Sequence, residues 1–469
     1  GLSDTITNDT VIRQGGDTGV DYIAYCFAEV EGFSSFGSYV GTGVVGNVSV
    51  VTGFEPAMII AKRTDAGSSN WFIWDNKRDT TNPNGTYLLP NASNAENNLD
   101  AYGMNFLENG FTVNSSDPQL NASGGEYIYM AFAADPTTVE PSLEDSFNTV
   151  LWTGDYSATR PITGVGFQPD LVWLKGRNNA SWGHFLQDSI RGAENFLISQ
   201  STGAEGTTVP HIVDSFDNDG FTIKGNGNSN ATGDTYVAWN WKGAEIPAIN
   251  SNGSIPSVVS ANPAAGFSIV SYTGTDVNNT IGHGLGISPD VIIIKDRTVG
   301  RNWRVYHSAI GAGQNLKLNT TDAASSDAAI FQSTTPTGNV FYVGASGDVN
   351  ANAENFIAYC FAEVAGFSKF GSYAGGTANK KITTDFEPAF IMFKRTSTSG
   401  ENWVIYDNKR SPSNPRNDLL LANTSDAEFV DYFTHHVNFD SDGFTLVQTS
   451  SAANGSGDTY IYMAFANQF

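Results

Sequence analysis

The stretch GFEPAMIIAKR, residues 53–63, decides how the rest of the chain is read. It returns as GFQPDLVWLKGR (166–177), GISPDVIIIKDR (286–297) and DFEPAFIMFKR (385–395). Each copy opens on a turn with a proline, whose missing N–H costs nothing at the head of a strand. A short apolar, β-branched run follows and ends in lysine. Such a run is too short for a helix and predicts a buried strand.

Working outward, a tryptophan follows each lysine by seven to nine residues: Trp71, Trp182, Trp303 and Trp403. Then come the apolar pieces TYLLPNAS, NFLISQST, NLKLNTTD and DLLLANTS. Turn-like DNDGFTI and DSDGFTL predict hairpins. Each copy closes on EYIYMAFA, TYVAWNWK, NFIAYCFA or TYIYMAFA. About six to eight short strands fit each segment, the spacing of an antiparallel sandwich. The expected fold is therefore all-β, a tandem array of four antiparallel β-sandwich (jelly-roll-like) domains joined by short linkers. Their bounds are 32–134, 147–243, 264–362 and 366–469, with linkers at 135–146 and 244–263 rich in Pro, Ser and small residues. Residues 1–31 match only a closing strand.

That last match is close: YCFAEVEGFSSFGSY (25–39) is respelled as YCFAEVAGFSKFGSY (359–373). Calling the complete repeats A, B, C and A, the chain begins on the tail of a C-type repeat. It is expected to be an array that starts on a fragment of one more unit. Identity over so long an interval suggests copied domains rather than a solenoid.

Composition narrows the function. Charged residues are 15% and glycines number 49 in 469 residues, which suits turn-rich β-structure. The net charge of −24 argues against nucleic acid, whose phosphates need clustered Lys and Arg. No apolar run approaches the roughly 18 residues of a membrane helix, so no membrane insertion is expected. GTGVVG (41–46) fits a dinucleotide pattern in letters only, since β-like NVSVV follows where a helix is needed. The histidines, His184, His211, His283, His307, His435 and His436, are scattered among the repeats. No catalytic residue and no cofactor is expected.

The recurring residues invite structural roles. The four tryptophans are expected in the core. Lys62, Lys175, Lys295 and Lys394 are expected to face Asp75, Asp188, His307 and Asp407 on the next strand, as ion pairs where the partner is acidic. Cys26 and Cys360 share a slot, aligned with Met130, Trp239 and Met463, that predicts simple apolar burial. Asp217 with Asp219, and Asp440 with Asp442, are weak Ca²⁺ candidates; plain hairpin turns are the favoured reading. Asn-x-Ser/Thr triplets, as at Asn47, Asn91, Asn121 and Asn423, follow from the Asn- and Ser-rich composition.

Taken together, YTGT…IGHGLGISPDVIIIKDR…NWRVYHSAIGA, WTGD…ITGVGFQPDLVWLKGR, YIAYCFAEVEGFSSFGSY and GSGDTYIYMAFA are similar to tandem domains of bacteriophage structural proteins, frequent in the tail proteins of marine phages. The resemblance covers the chain from about residue 20. It implies a tail fibre, a tail-associated protein or a capsid fibre on the virion surface. It also implies a homo-oligomer, with a trimer favoured, contacts with other virion proteins, and attachment to host-surface glycans. A carbohydrate-binding adhesin is the alternative and predicts exposed aromatic clusters. A secreted polysaccharide-degrading enzyme is the third reading and requires two carboxylates across a cleft.

Overall fold

The computed structural model describes residues 25–466, apart from 26, 28, 31, 68, 108, 134–145, 208–211, 226, 245–246, 432–435 and 448–449. Strands dominate and every named strand pair is antiparallel, so the all-β expectation holds. The four lysine-ending segments are strands at Pro56–Arg63, Leu171–Gly176, Val291–Asp296 and Pro388–Arg395.

Repeat 2 gives the plan. Its larger sheet runs in the order Phe147–Thr153, Thr235–Trp241, Leu171–Gly176, His184–Asp188, Leu197–Ile198. The closing strand, last in sequence, thus lies between the opening strand and the lysine strand. The smaller sheet holds Thr159–Thr163, Gly220–Lys224 and Val213–Asp217. The last two form the hairpin expected from DNDG, with Asp217 paired to Gly220. Gly220 (φ +143°) lies where a Cβ would stand 2.0 Å from the Ile162 carbonyl, which excludes a side chain. Repeats 1 and 4 follow the same plan, whereas the smaller sheet of repeat 3 has two strands, Asn279–Gly282 and Val340–Val343.

A buried asparagine ties each sandwich together. Asn121, Asn230, Asn350 and Asn454 are fully buried. Each side-chain carbonyl accepts a backbone N–H just past the opening strand, from Thr42, Asp155, Thr275 and Gly376. Buried amides keep their place when both ends are bonded.

The chain divides into two compact units, residues 1–139 and 140–469. The first holds repeat 1, with its own core around Ile59, Ala61, Trp74, Phe111 and Tyr127. The second holds repeats 2, 3 and 4. These are not beads on linkers: one core cluster draws on all three. The segment 244–263 is no plain connector either. Its Ala248–Asn250 and Ser257–Asn262 are strands that extend the larger sheet of repeat 3. Ser257–Asn262 pairs onto Phe267–Thr273, and Ala248–Asn250 pairs in turn onto Ser257–Asn262. The linker 135–146 lies outside the described residues except for Ser146, as do residues 1–24 of the expected partial repeat and Cys26.

Candidate functional site: an interlocking core of three repeats

A strand with one solvent-facing side alternates apolar and polar residues, whereas one covered on both sides is apolar throughout. VIIIKD in repeat 3 is of the second kind, and all six residues are buried. Ile292 and Ile294 face the interior of their own sandwich. Val291 and Ile293 face the other way, into the shared core. Leu171 and Trp173 of repeat 2 join that core, as do Phe390 and Met392 of repeat 4.

The closing strands complete it with Trp239 and Trp241, Tyr359 and Phe361, and Met463 and Phe465. Ring contacts run between every pair of repeats: Trp239–Phe390 at 5.7 Å, Trp241–Phe361 at 6.0 Å and Phe361–Phe465 at 5.8 Å. Edge-on aromatic packing adds to area burial at each contact.

The strand-end lysines close this core into a ring. Lys175 Nζ of repeat 2 donates to the Ser425 carbonyl of repeat 4 (3.2 Å). Lys295 of repeat 3 donates to Thr202 of repeat 2 (3.2 Å), and Lys394 of repeat 4 to Thr321 of repeat 3 (3.4 Å). Ser425, Thr202 and Thr321 each stand five residues after the equivalent leucines Leu420, Leu197 and Leu316. One contact therefore occurs three times, always in the same direction, and returns to its start. Burial pushes each of these lysines down to about 8.

The expected Lys–Asp ion pairs do not form. The lysines bind carbonyls, and each aspartate instead holds the arginine three residues on. Asp188–Arg191 and Asp407–Arg410 are completely buried; Asp75–Arg78 in repeat 1 is partly exposed. The letters DNKR, DSIR and DNKR carried that signal. These pairs reach across repeats. Asp188 accepts from the Tyr359 hydroxyl of repeat 3 (2.7 Å), and Asp407 accepts from Trp239 Nε1 of repeat 2 (3.0 Å). At the third position stands His307, whose Nε2 lies 3.1 Å from the Tyr462 carbonyl of repeat 4. Burial lowers this imidazole to about 4, so it is neutral. Burial alone would weaken the Arg191 guanidinium, but Asp188 more than offsets it and the charge is held.

A second set of cross-repeat pairs was not foreseen from sequence. Arg177 of repeat 2 binds Glu428 of repeat 4 (2.7 Å), and Arg297 of repeat 3 binds Glu205 of repeat 2 (2.9 Å). The equivalent residues between repeats 4 and 3 are Thr396 and Ala324, joined only by a backbone bond. Both members of the pair are absent there together, so no charge is left unmatched.

Trp303 and Trp403 are buried and donate across repeats, to the Ile198 and Lys317 carbonyls (both 3.0 Å). Trp71, opposite Lys62, is half-buried. Trp182 does not share their position. In repeat 2 the residue opposite the strand-end lysine is His184, fully buried, with its pKa driven well down by burial. Trp182 lies two residues earlier and bonds Asp234 in its own repeat. Cys360 is buried as expected, but its slot was displaced by one residue. The pairing Val291↔Phe361, Leu171↔Trp241 and Phe390↔Phe465 aligns Cys360 with Asn240 and Ala464. A shift of one turns a residue to the other face of a strand. Cys360 accordingly packs inside its own sandwich, and Tyr359 is the residue equivalent to Trp239 and Met463.

The acidic turn residues are engaged locally. Asp217 accepts from Ser215 and Thr222, Asp219 from the Gly164 and Gly166 amides, Asp440 from Thr445, and Asp442 pairs with Lys381. Among the described residues no group of three or more His, Cys, Asp and Glu gathers as a metal ion would require. A carboxyl pair is present in repeat 3: the bond to Asp296, with burial second, raises Glu354, and Arg301 bridges both.

A family model described as Domain of unknown function (DUF7483) matches residues 3–136 and 141–468. The break between the two segments falls at the boundary between the compact units. No curated protein and no solved structure matches the chain.

Proposed function

The chain belongs to the DUF7483 family, and we propose that it is a non-enzymatic structural protein of a virus particle. It serves as a tail fibre, tail-associated protein or capsid fibre on the virion surface, meets other virion proteins, and contributes to host attachment. The observation that carries this reading is where the charged groups of the second unit go. Lys175, Lys295, Lys394, Arg191 and Arg410 are buried, and all hold one repeat against another or brace a group that does. A core of that kind suits a component that bears load. Its acidic exterior suits a particle that must stay dispersed.

The adhesin reading ranks second and draws less support. It needs aromatic platforms in solvent, whereas seven of the nine tryptophans are buried, leaving Trp71 and Trp182 half-covered. The Asp296–Glu354 pair gives the enzyme reading its best carboxylates, but Asp296 is fully buried and tied to the Thr298 and Val299 amides and Arg301.

The test is proteomics and cryo-electron microscopy of the particles made by the natural source. The chain is expected in purified virions, with lobed density in an appendage that fits the second unit. Its absence from particles, with the protein found free and secreted, would overturn the proposal.

A further inference from the structure

One place in the larger sheet is filled by side chains in three repeats and hollow in repeat 4. Strand register fixes the equivalence. Val404 pairs with Phe393 and Leu421, as Phe185 of repeat 2 pairs with Leu174 and Ile198. Val404 therefore stands where repeat 2 has Phe185, repeat 3 has Arg304 and repeat 1 has Phe72. By the same register Leu419 stands where the others have Phe196, Asn315 and Tyr87. Ala452, two residues before the buried Asn454, stands where they have Asn228, Asp348 and Gln119.

The other repeats close this place in different ways. In repeat 2 the rings of Phe185 and Phe196 meet edge-on at 5.5 Å, and in repeat 1 those of Phe72 and Tyr87 lie 5.2 Å apart. In repeat 3 the Arg304 guanidinium binds Asp348 (2.7 Å) and Asn315 (2.8 Å). Repeat 4 has only valine, leucine and alanine there, and a pocket of about 170 Å³ opens between them, walled further by Leu421 and Phe429. Phe429 occupies the position of Gly206 in repeat 2, where a Cβ would stand 2.3 Å from the Phe196 ring. The Phe429 ring thus stands in for that of Phe196, while the ring of Phe185 has no replacement. An apolar cavity of about 150 Å³ holds a benzene ring. Glu401 and Asn402 supply the polar part of the lining. Asn402 accepts from Asn423 Nδ2 (2.7 Å). Ser451 Oγ and Arg395 both approach Glu401 at Oε1, at 2.6 and 3.7 Å. A carboxylate accepts through two oxygens, so this rim suits a further donor.

We propose that this pocket of repeat 4 is a binding site for a small one-ring aromatic molecule that carries a hydrogen-bond donor, in the simplest case a phenol. Its ring takes the place that Phe185 fills in repeat 2, against Val404, Leu419 and Phe429. Its hydroxyl donates to the Glu401 carboxylate. The sister repeats give the shape of the occupant, since two of them close the same place with phenyl or phenol rings. The rim gives its polarity. An aromatic acid would set one carboxylate against another, so a donor is accepted where an anion is refused.

The experiment titrates the 469-residue chain, methyl-labelled at valine, leucine and alanine, with phenol and follows it by NMR. Ring currents of the bound phenol are expected to shift the Val404, Leu419 and Ala452 methyls saturably. Those of Val305, Leu316 and Ala351 in repeat 3 should stay in place. Absence of saturable shifts, or shifts of equal size in both repeats, would overturn the proposal. Val404→Phe, which restores the ring of repeat 2, is expected to weaken phenol at least tenfold, and an unchanged affinity would sink the assignment. Should that variant fail to fold, the methyl map of the unsubstituted chain decides alone. Benzoate is expected to bind at least tenfold more weakly than phenol, and benzoate binding as tightly would contradict the part given to Glu401. None of these readouts depends on whether the protein resides in a virion.

Discussion

Lys175, Lys295 and Lys394 are fully buried ammonium groups that face carbonyls, an arrangement that ties their charge to the assembled ring. Each binds its proton less tightly in the folded chain, at about 8, than at the ordinary 10.5. Between those values the unfolded chain holds more protons, so folding stability rises with pH through that window. Each lysine contributes about 1.4 kcal/mol per pH unit at most. Cys360, raised by burial from 9.0 to about 12, works in the opposite sense above pH 9, and above pH 10 the tyrosines that burial raises, such as Tyr236 and Tyr306, join it. Urea unfolding of the second unit is therefore expected to show a midpoint that climbs from pH 8 to 9. Lys295→Met should remove about a third of the climb. A flat or falling midpoint would contradict the assignment. That these lysines recur was legible in sequence. Their partners were not, because a carbonyl on another repeat has no letter of its own.

The elements that join repeats differ in how deeply their charges are buried, and that separates two equivalent glutamates. Glu428 lies between Arg177 and Arg410 with its side chain 4% exposed, whereas Glu96 on Arg78 in repeat 1 is 46% exposed. Removing one partner from a buried network strands the others, at about 3–5 kcal/mol. An exposed pair is worth less than ~1 kcal/mol. Glu428→Ala should accordingly shift the unfolding transition of the second unit strongly, while Glu96→Ala in the same 469-residue chain leaves that of repeat 1 within error. Equal effects would count against the burial argument. At this scale the strands themselves were readable. Runs such as VIIIKD and FIMFKR announced strands without a solvent face. The register was less so: Cys360 and Trp182 were each misplaced by a residue or two, because sequence similarity tolerates a slip that the two faces of a strand do not.

For the whole molecule, the sequence reads as four repeats, whereas the structure groups repeats 2, 3 and 4 into one compact unit with a common core and assigns repeat 1 to the other unit. Four similar segments in a row read as a row, and nothing in their order says that Lys394 near the end returns to Thr321 while Lys175 near the start reaches forward to Ser425. Arg177, Glu205, Arg297 and Glu428, with Thr396 and Ala324 at the remaining contact, are places where the letters differ between repeats and one repeat meets another. Because each repeat buries one face only against the other two, none of the three should open alone. The central claim is tested most directly by native-state hydrogen exchange across a urea series on the 469-residue chain. The readout is the three closing strands Thr235–Trp241, Asn355–Phe361 and Thr459–Ala466. If the ring is one cooperative body, their amides converge on a single opening free energy and the same dependence on urea. Three separate opening energies, one for each repeat, would contradict it.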